Sequence, residues 1–219
     1  MSTDKFRLIT RSDFDGLVCA ALLKELDMID EIKFVHPKDV QDGKIDIGPR
    51  DITTNLPYIE SCHLAFDHHE SETIRNAEIK SNHIIFPDTP SAARVVFDYY
   101  GGKDKFVDIS DILMDSVDKG DSANFSIKDI LYPEGWDLMN FIMDARTGLG
   151  RFREFRISNY NLMMELIDKC REISVEEILE LPDVMERVEL YREHEELAKA
   201  QILNCSTIYD NLVILDLRD

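Results

Sequence analysis

Two short clusters of acidic and imidazole side chains have the types and spacing to do chemistry. The first is Asp67-His68-His69, which directly follows the apolar run His63-Leu64-Ala65-Phe66. A carboxylate beside two imidazoles offers mixed oxygen and nitrogen donors to a divalent cation. The apolar run predicts a short strand, and in open α/β sheets ligands gather at the carboxyl ends of strands. Taken alone, the triplet reads equally well as a polar turn. The second cluster is Ser12-Asp13-Phe14-Asp15-Gly16, which follows the predicted strand Phe6-Arg7-Leu8-Ile9. Alternate residues of an extended segment share a side, so Asp13 and Asp15 can face one site. Gly16 allows the backbone a close approach. Helix capping accounts for one of these acids. It does not account for both, nor for the matching cluster after a later strand.

The elements that must position these clusters alternate in type. Beyond the first strand, the pattern predicts a helix over residues 16–26, strands at 32–35, 63–66 and 83–86, and a helix over 90–100 that ends at Gly101-Gly102. Strands separated by helices predict an α/β fold, with a doubly wound, mostly parallel sheet and flanking helices. After about residue 105 the sequence turns helical. Helices are expected over 108–117, 136–144, 152–173 and 184–203, with Leu181-Pro182 as a break. The final apolar run, 211–216, reads as a strand. It either pairs back onto a sheet or begins a further domain.

Composition bounds the rest. The 219 residues include 44 acidic and 25 basic side chains, a formal net charge of −19. So acidic a surface argues against a grip on long duplex nucleic acid, which needs a basic footprint. A short anionic substrate is still compatible, because bound cations reverse the local sign. The four cysteines, Cys19, Cys62, Cys170 and Cys205, form no C-x-x-C pair, and Cys19 and Cys62 read as small core residues. With no signal-peptide pattern and no apolar run approaching 18 residues, the expectation is a cytoplasmic protein without membrane contact. His36, after the second strand, is a candidate substrate-binding residue or a plain loop histidine. The stretch 144–151 sets Arg146 and Arg151 among glycines and could contact phosphate. His63 and His83 read as core or pairing residues.

D-x-D-G after the first strand and D-H-H after a later one resemble the DHH phosphoesterase superfamily. That superfamily includes the exonuclease RecJ, nano-RNases, cyclic-dinucleotide phosphodiesterases, exopolyphosphatases and type II inorganic pyrophosphatases. The chain is most similar to its bacterial exopolyphosphatase-related and nano-RNase-type proteins. The resemblance covers residues 5–125 well and the remainder loosely. It implies a catalytic core over 1–125 and a helical extension over 126–219. It also implies a lone acid between the two motifs, which is Asp51, or else position 55, where this chain has Asn55. A downstream acid is implied as Asp118, with Asp121 as the alternative. The implied metal ligands are then Asp13, Asp15, Asp51, His68 and Asp118. Asp67 would orient a ligand histidine or ligate directly, and His69 would assist proton transfer near the substrate phosphate.

The implied reaction is hydrolysis of a phosphodiester or phosphoanhydride in a short oligonucleotide, a cyclic dinucleotide or polyphosphate. The implied cofactor is a divalent metal. Mixed Asp/His donors suit Mn²⁺ better than Mg²⁺, and Co²⁺ is an alternative. The chain departs from the family at one place. A metal-binding His two or four residues before the first Asp is replaced by Arg11 and Ile9. A guanidinium repels a cation but can hold a phosphate through its planar fork. Arg11, with His36 and Arg146, is therefore the expected substrate-binding set. The departure equally fits a catalytically impaired, phosphate-binding or regulatory protein. The helical extension is also a candidate surface for homo-oligomers.

Overall fold

The computed structural model describes residues 5–76, 78, 80–144 and 154–218. Its first half is a five-stranded parallel sheet of β1 (Phe6–Arg11), β2 (Ile29–Val35), β3 (Asp51–Thr54), β4 (Leu64–Asp67) and β5 (His83–Ile85), in the order β2-β1-β3-β4-β5. The chain leaves β1 toward β2 on one side and returns to place β3 on the other. The crevice between the carboxyl ends of β1 and β3 is thus a topological switch point, where α/β sheets bind ligands.

Helix α1 (Phe14–Glu25) is apolar nearly all round, and residues 14–23 are all buried. It lies between the sheet and the helices that follow it, as a fully buried helix must. Its start is tightly fitted. A Cβ on Gly16 would stand 2.0 Å from the Arg11 carbonyl oxygen and 2.7 Å from Thr10 Oγ1, so no other residue fits without moving backbone. The opposite sheet face carries a smaller core of Ile9, Val35, Val40, Ile47, Leu56, Cys62 and Ala65, with Val40 supplied by α2 (Pro37–Gln41). Helix α3 (Glu70–Arg75) follows β4, and α4 (Ala92–Tyr99) follows β5 with Ser91 as its N-cap.

The remaining described elements are helical apart from a terminal hairpin: a short 3₁₀ turn at Gly102–Asp104, then α5 (Asp111–Asp121), α6 (Ile127–Leu131), α7 (Gly135–Met143), α8 (Asn159–Glu172), α9 (Val175–Leu179) and α10 (Pro182–Cys205). Leu113, Leu138, Leu166, Ile178 and Val184 from five of these helices join the same core as α1. Lys24 reaches across to Asp168 (2.6 Å) and Arg171 to Glu25 (3.5 Å). The extension therefore packs on the sheet domain rather than building its own core. The last predicted strand exists as β7 (Leu212–Leu215). It pairs antiparallel with β6 (Ser206–Tyr209), not with the main sheet. No helix among the described residues is long and apolar enough to cross a membrane.

Candidate functional site

The carboxyl ends of β1, β3 and β4 open into a cleft of ≈ 490 Å³, lined among others by Arg11, Asp13, Asp15, Asn55, Asp67, His69 and Asp121. Asp13 caps α1, its Oδ1 accepting from the Gly16 amide at 2.9 Å, so one acid of D-x-D-G does serve the helix. Arg11 Nε lies 2.8 Å from its other oxygen. Asp15 is 2% exposed. Its two oxygens accept from the first amides of α4, Ala92 (3.1 Å) and Ala93 (2.7 Å). Two backbone donors at a helix N-terminus make a buried carboxylate tolerable.

From β4, Asp67 Oδ1 accepts from the amides of His68 (2.8 Å) and His69 (3.3 Å) and pairs with His69 Nδ1 at 2.7 Å. Its other oxygen, Oδ2, is buried and has no hydrogen-bond partner. His68 is turned by its Nδ1, 3.0 Å from the Thr89 carbonyl oxygen, which fixes the ring as a donor on that side. Its Nε2 stands 2.7 Å from Asp121 Oδ2. The two form an ion pair when the ring is protonated, and offer two converging donor atoms to one cation when it is not. Donor atoms of Asp15, His68 and Asp121 all lie within 4.8 Å of one another.

The electrostatics agree. Burial pushes Asp13 up to about 6, against the pull of Arg11 and the Gly16 amide. Burial, then Asp121 and Asp13, push Asp15 well above its ordinary value. Burial opposes charge on His68, but Asp121 and Asp15 outweigh it and raise the imidazole to about 9. Several acids are thus crowded where burial disfavours their charge. A divalent cation relieves this. The residues present fit such an ion.

The structure brings Asp13, Asp15, Asp67, His68 and His69 to one place, with Arg11 at its rim and His36 on the cleft wall. His36 Nδ1 accepts from the Lys38 amide at 3.1 Å and so caps α2. Two expected ligands lie apart from this cluster and have other partners. Asp51 begins β3 instead of ending it, and lies at the amino edge of the sheet. Its carboxylate is held by Arg7 Nε (2.7 Å), Arg7 Nη2 (3.0 Å) and the Gly48 amide (2.7 Å). Asn55, just past the carboxyl end of β3, lines the cleft instead. It is 2% exposed, with φ at 54° and both side-chain amide atoms unpartnered. Asp118 is likewise spent elsewhere, on Ser91 and Arg94, and Asp121 takes the place beside His68. Arg146 lies outside the described residues. His63 stacks on Phe6 and His83 on Tyr58, with ring centroids 4.1 and 4.4 Å apart. The cleft also includes Glu72, Arg75 and Asn140, which nothing in the sequence pattern singled out.

Among solved structures, the chain is similar to the pGpG-specific phosphodiesterase PggH from Vibrio cholerae. The two share 58% sequence identity with a TM-score of 0.87, over 97% of this chain and 68% of that one. The chain belongs to the family of that phosphodiesterase. A second solved structure, an uncharacterized protein from Helicobacter pylori G27, is 11% identical with a TM-score of 0.42 over 95% of this chain and 73% of that one, and carries no weight here. No protein-family model and no curated protein matches the chain.

Proposed function

We propose that this protein is a metal-dependent phosphodiesterase of the DHH type that cleaves a short linear dinucleotide such as pGpG. The chemistry rests on the Asp15–His68–Asp121 cluster at the strand carboxyl ends. The substrate class is supported by the family relative, a pGpG-specific enzyme. A cleft of ≈ 490 Å³ has the volume of a small-molecule site, consistent with a short ligand and not with a duplex.

Asp15, His68 and Asp121 would hold a divalent ion, Mn²⁺ by the mixed donor set, with Asp13 close to Asp15. A bound ion supplies Lewis acidity and a water molecule of lowered pKa. Arg11, anchored on Asp13 through Nε, can turn its remaining N–H groups to a substrate phosphate. His69 is held through Nδ1 by Asp67, which leaves Nε2 as the ring nitrogen available to the cleft. Asp67 orients the ring through Nδ1, as a carboxylate beside a site histidine does. When water adds to phosphorus and the bridging P–O bond breaks, His69 Nε2 can give its proton to the departing oxygen. One pGpG and one water then yield two mononucleotides.

The test is to incubate purified protein with pGpG, pApA, a cyclic dinucleotide and polyphosphate, with Mn²⁺ or with chelator, and to separate the products by chromatography. Guanosine monophosphate from pGpG with Mn²⁺, abolished by chelation, is the expected result. Turnover indifferent to chelator would reject the metal role. Binding of pGpG without turnover would favour the impaired, ligand-binding alternative.

A further inference from the structure

Asp118 is chained to the cluster of Asp15, His68 and Asp121 by hydrogen bonds through α4. Its Oδ1 accepts from Ser91 Oγ at 2.6 Å, and its Oδ2 accepts from Arg94 Nε at 2.8 Å with Nη2 at 2.6 Å. Ser91 is the N-cap of α4, its Oγ accepting from the Arg94 amide at 3.0 Å. The next two amides of that turn, Ala92 and Ala93, are the ones that hold the two oxygens of Asp15. The lone pairs left to Asp15 therefore point where the first turn of α4 sends them.

Asp118 and Asp121 sit three residues apart on α5, so they lie on one side of the helix. A single turn of α5 thus carries Asp121, which faces His68, and the carboxylate that anchors the turn aiming Asp15. Two guanidinium nitrogens on one carboxylate oxygen, with a serine hydroxyl on the other, hold Asp118 by charge-assisted, directional bonds, and Ser91 and Asp118 are only partly open to solvent at most. We propose that Asp118 is a positioning residue. Through Ser91 and Arg94 it locks α4 to α5 and so sets the relative placement of Asp15 and Asp121 for the ion.

This rests on the metal-centre reading above, and the experiment separates the two. Mn²⁺ is titrated calorimetrically into the full chain as wild type, Asp118→Asn and Arg94→Lys, and the spectrum of the bound Mn²⁺ is recorded by electron paramagnetic resonance at saturation. The expected loss is about 10–100-fold in Mn²⁺ affinity for each variant, the usual effect of removing an orienting partner. The bound-ion spectrum should change, while the metal-free variants stay folded with a cooperative thermal transition. Unchanged affinity and spectrum in a folded variant would overturn the positioning role while leaving the metal centre standing. If Asp118→Asn fails to fold, Arg94→Lys decides by the same criteria, since it keeps the charge and loses only the fork. If neither variant folds, the network holds the fold rather than the ligand, and the proposal falls. A wild-type protein that binds no Mn²⁺ would reject the metal centre itself, and the positioning role with it.

Discussion

If the proposed centre holds Mn²⁺, its binding should depend strongly on pH, with a sign set by the protonation of the cluster. His68 is raised to about 9 because Asp121 and Asp15 stabilise its charged form against burial. At pH 7 the ring therefore holds its proton, and a ligand nitrogen must give it up. Two pH units below the pKa, deprotonation costs about 2.7 kcal/mol, from about 1.36 kcal/mol per unit. Apparent Mn²⁺ affinity should then be about 100-fold below its limiting value at pH 7 and rise about tenfold from pH 7 to 8. Asp15, also raised well above its ordinary value, adds to the protons displaced.

In the metal-free protein the linkage runs the other way. The part of the stability that His68 contributes is complete below its unfolded pKa of about 6.5 and is lost as pH rises through about 9. Asp13, raised to about 6 by burial, adds a penalty that grows from its unfolded pKa of about 3.9 and is complete above its folded one. The metal-free protein should therefore lose stability as pH rises, while the stabilisation from Mn²⁺ increases. Calorimetric titrations at pH 6.5, 7.5 and 8.5, each in buffers of different ionisation enthalpy, count the protons released per ion. At least one per Mn²⁺ at neutral pH is expected. Affinity flat across this range with no proton release would refute the cluster as the binding site.

Three further outcomes are expected. His69→Gln should lower kcat for pGpG by about 10²–10⁴-fold, the usual range for a general acid or base, and leave Mn²⁺ affinity near wild type. A large loss of affinity in titration would instead make His69 a ligand. Asp51→Asn should lower stability by about 1–3 kcal/mol, because it weakens a buried carboxylate's hydrogen bonds to Arg7 and Gly48. Denaturant melts together with unchanged Mn²⁺ binding would place it outside the metal centre, whereas lost binding in a folded variant would restore it as a ligand. Gly16→Ala should destabilise by about 3 kcal/mol or more, since its Cβ would stand 2.0 Å from a backbone oxygen. A thermal midpoint within a degree of wild type would mean the turn relaxes freely.

Much of the candidate site was legible in the sequence because its motifs are local. D-x-D-G and D-H-H each lie within a few residues at the end of one strand, so their clustering needs only the strand–helix alternation that hydrophobic periodicity reveals. Gly16 was legible for the same reason, as a small residue where a strand turns into a helix. The remaining candidate positions depend on register and on partners distant in the chain.

Asp51 and Asn55 are separated by the length of one short strand, about 13 Å at about 3.3 Å per residue. Only the pairing of Arg7 with Asp51 and Thr10 with Thr54 shows which end of β3 faces the cleft. That strand, Asp-Ile-Thr-Thr, is too short and too polar to announce itself. Asp118 and Asp121 share one helix face, and their sequence context favours neither. The choice is made by Arg94 on α4, which takes Asp118 and leaves Asp121 to His68. Sequence alone thus determined the fold class and which motifs meet at the strand ends. Tertiary structure decided which carboxylates remain to face an ion, because a charge-paired acid and an open one differ only in their neighbours.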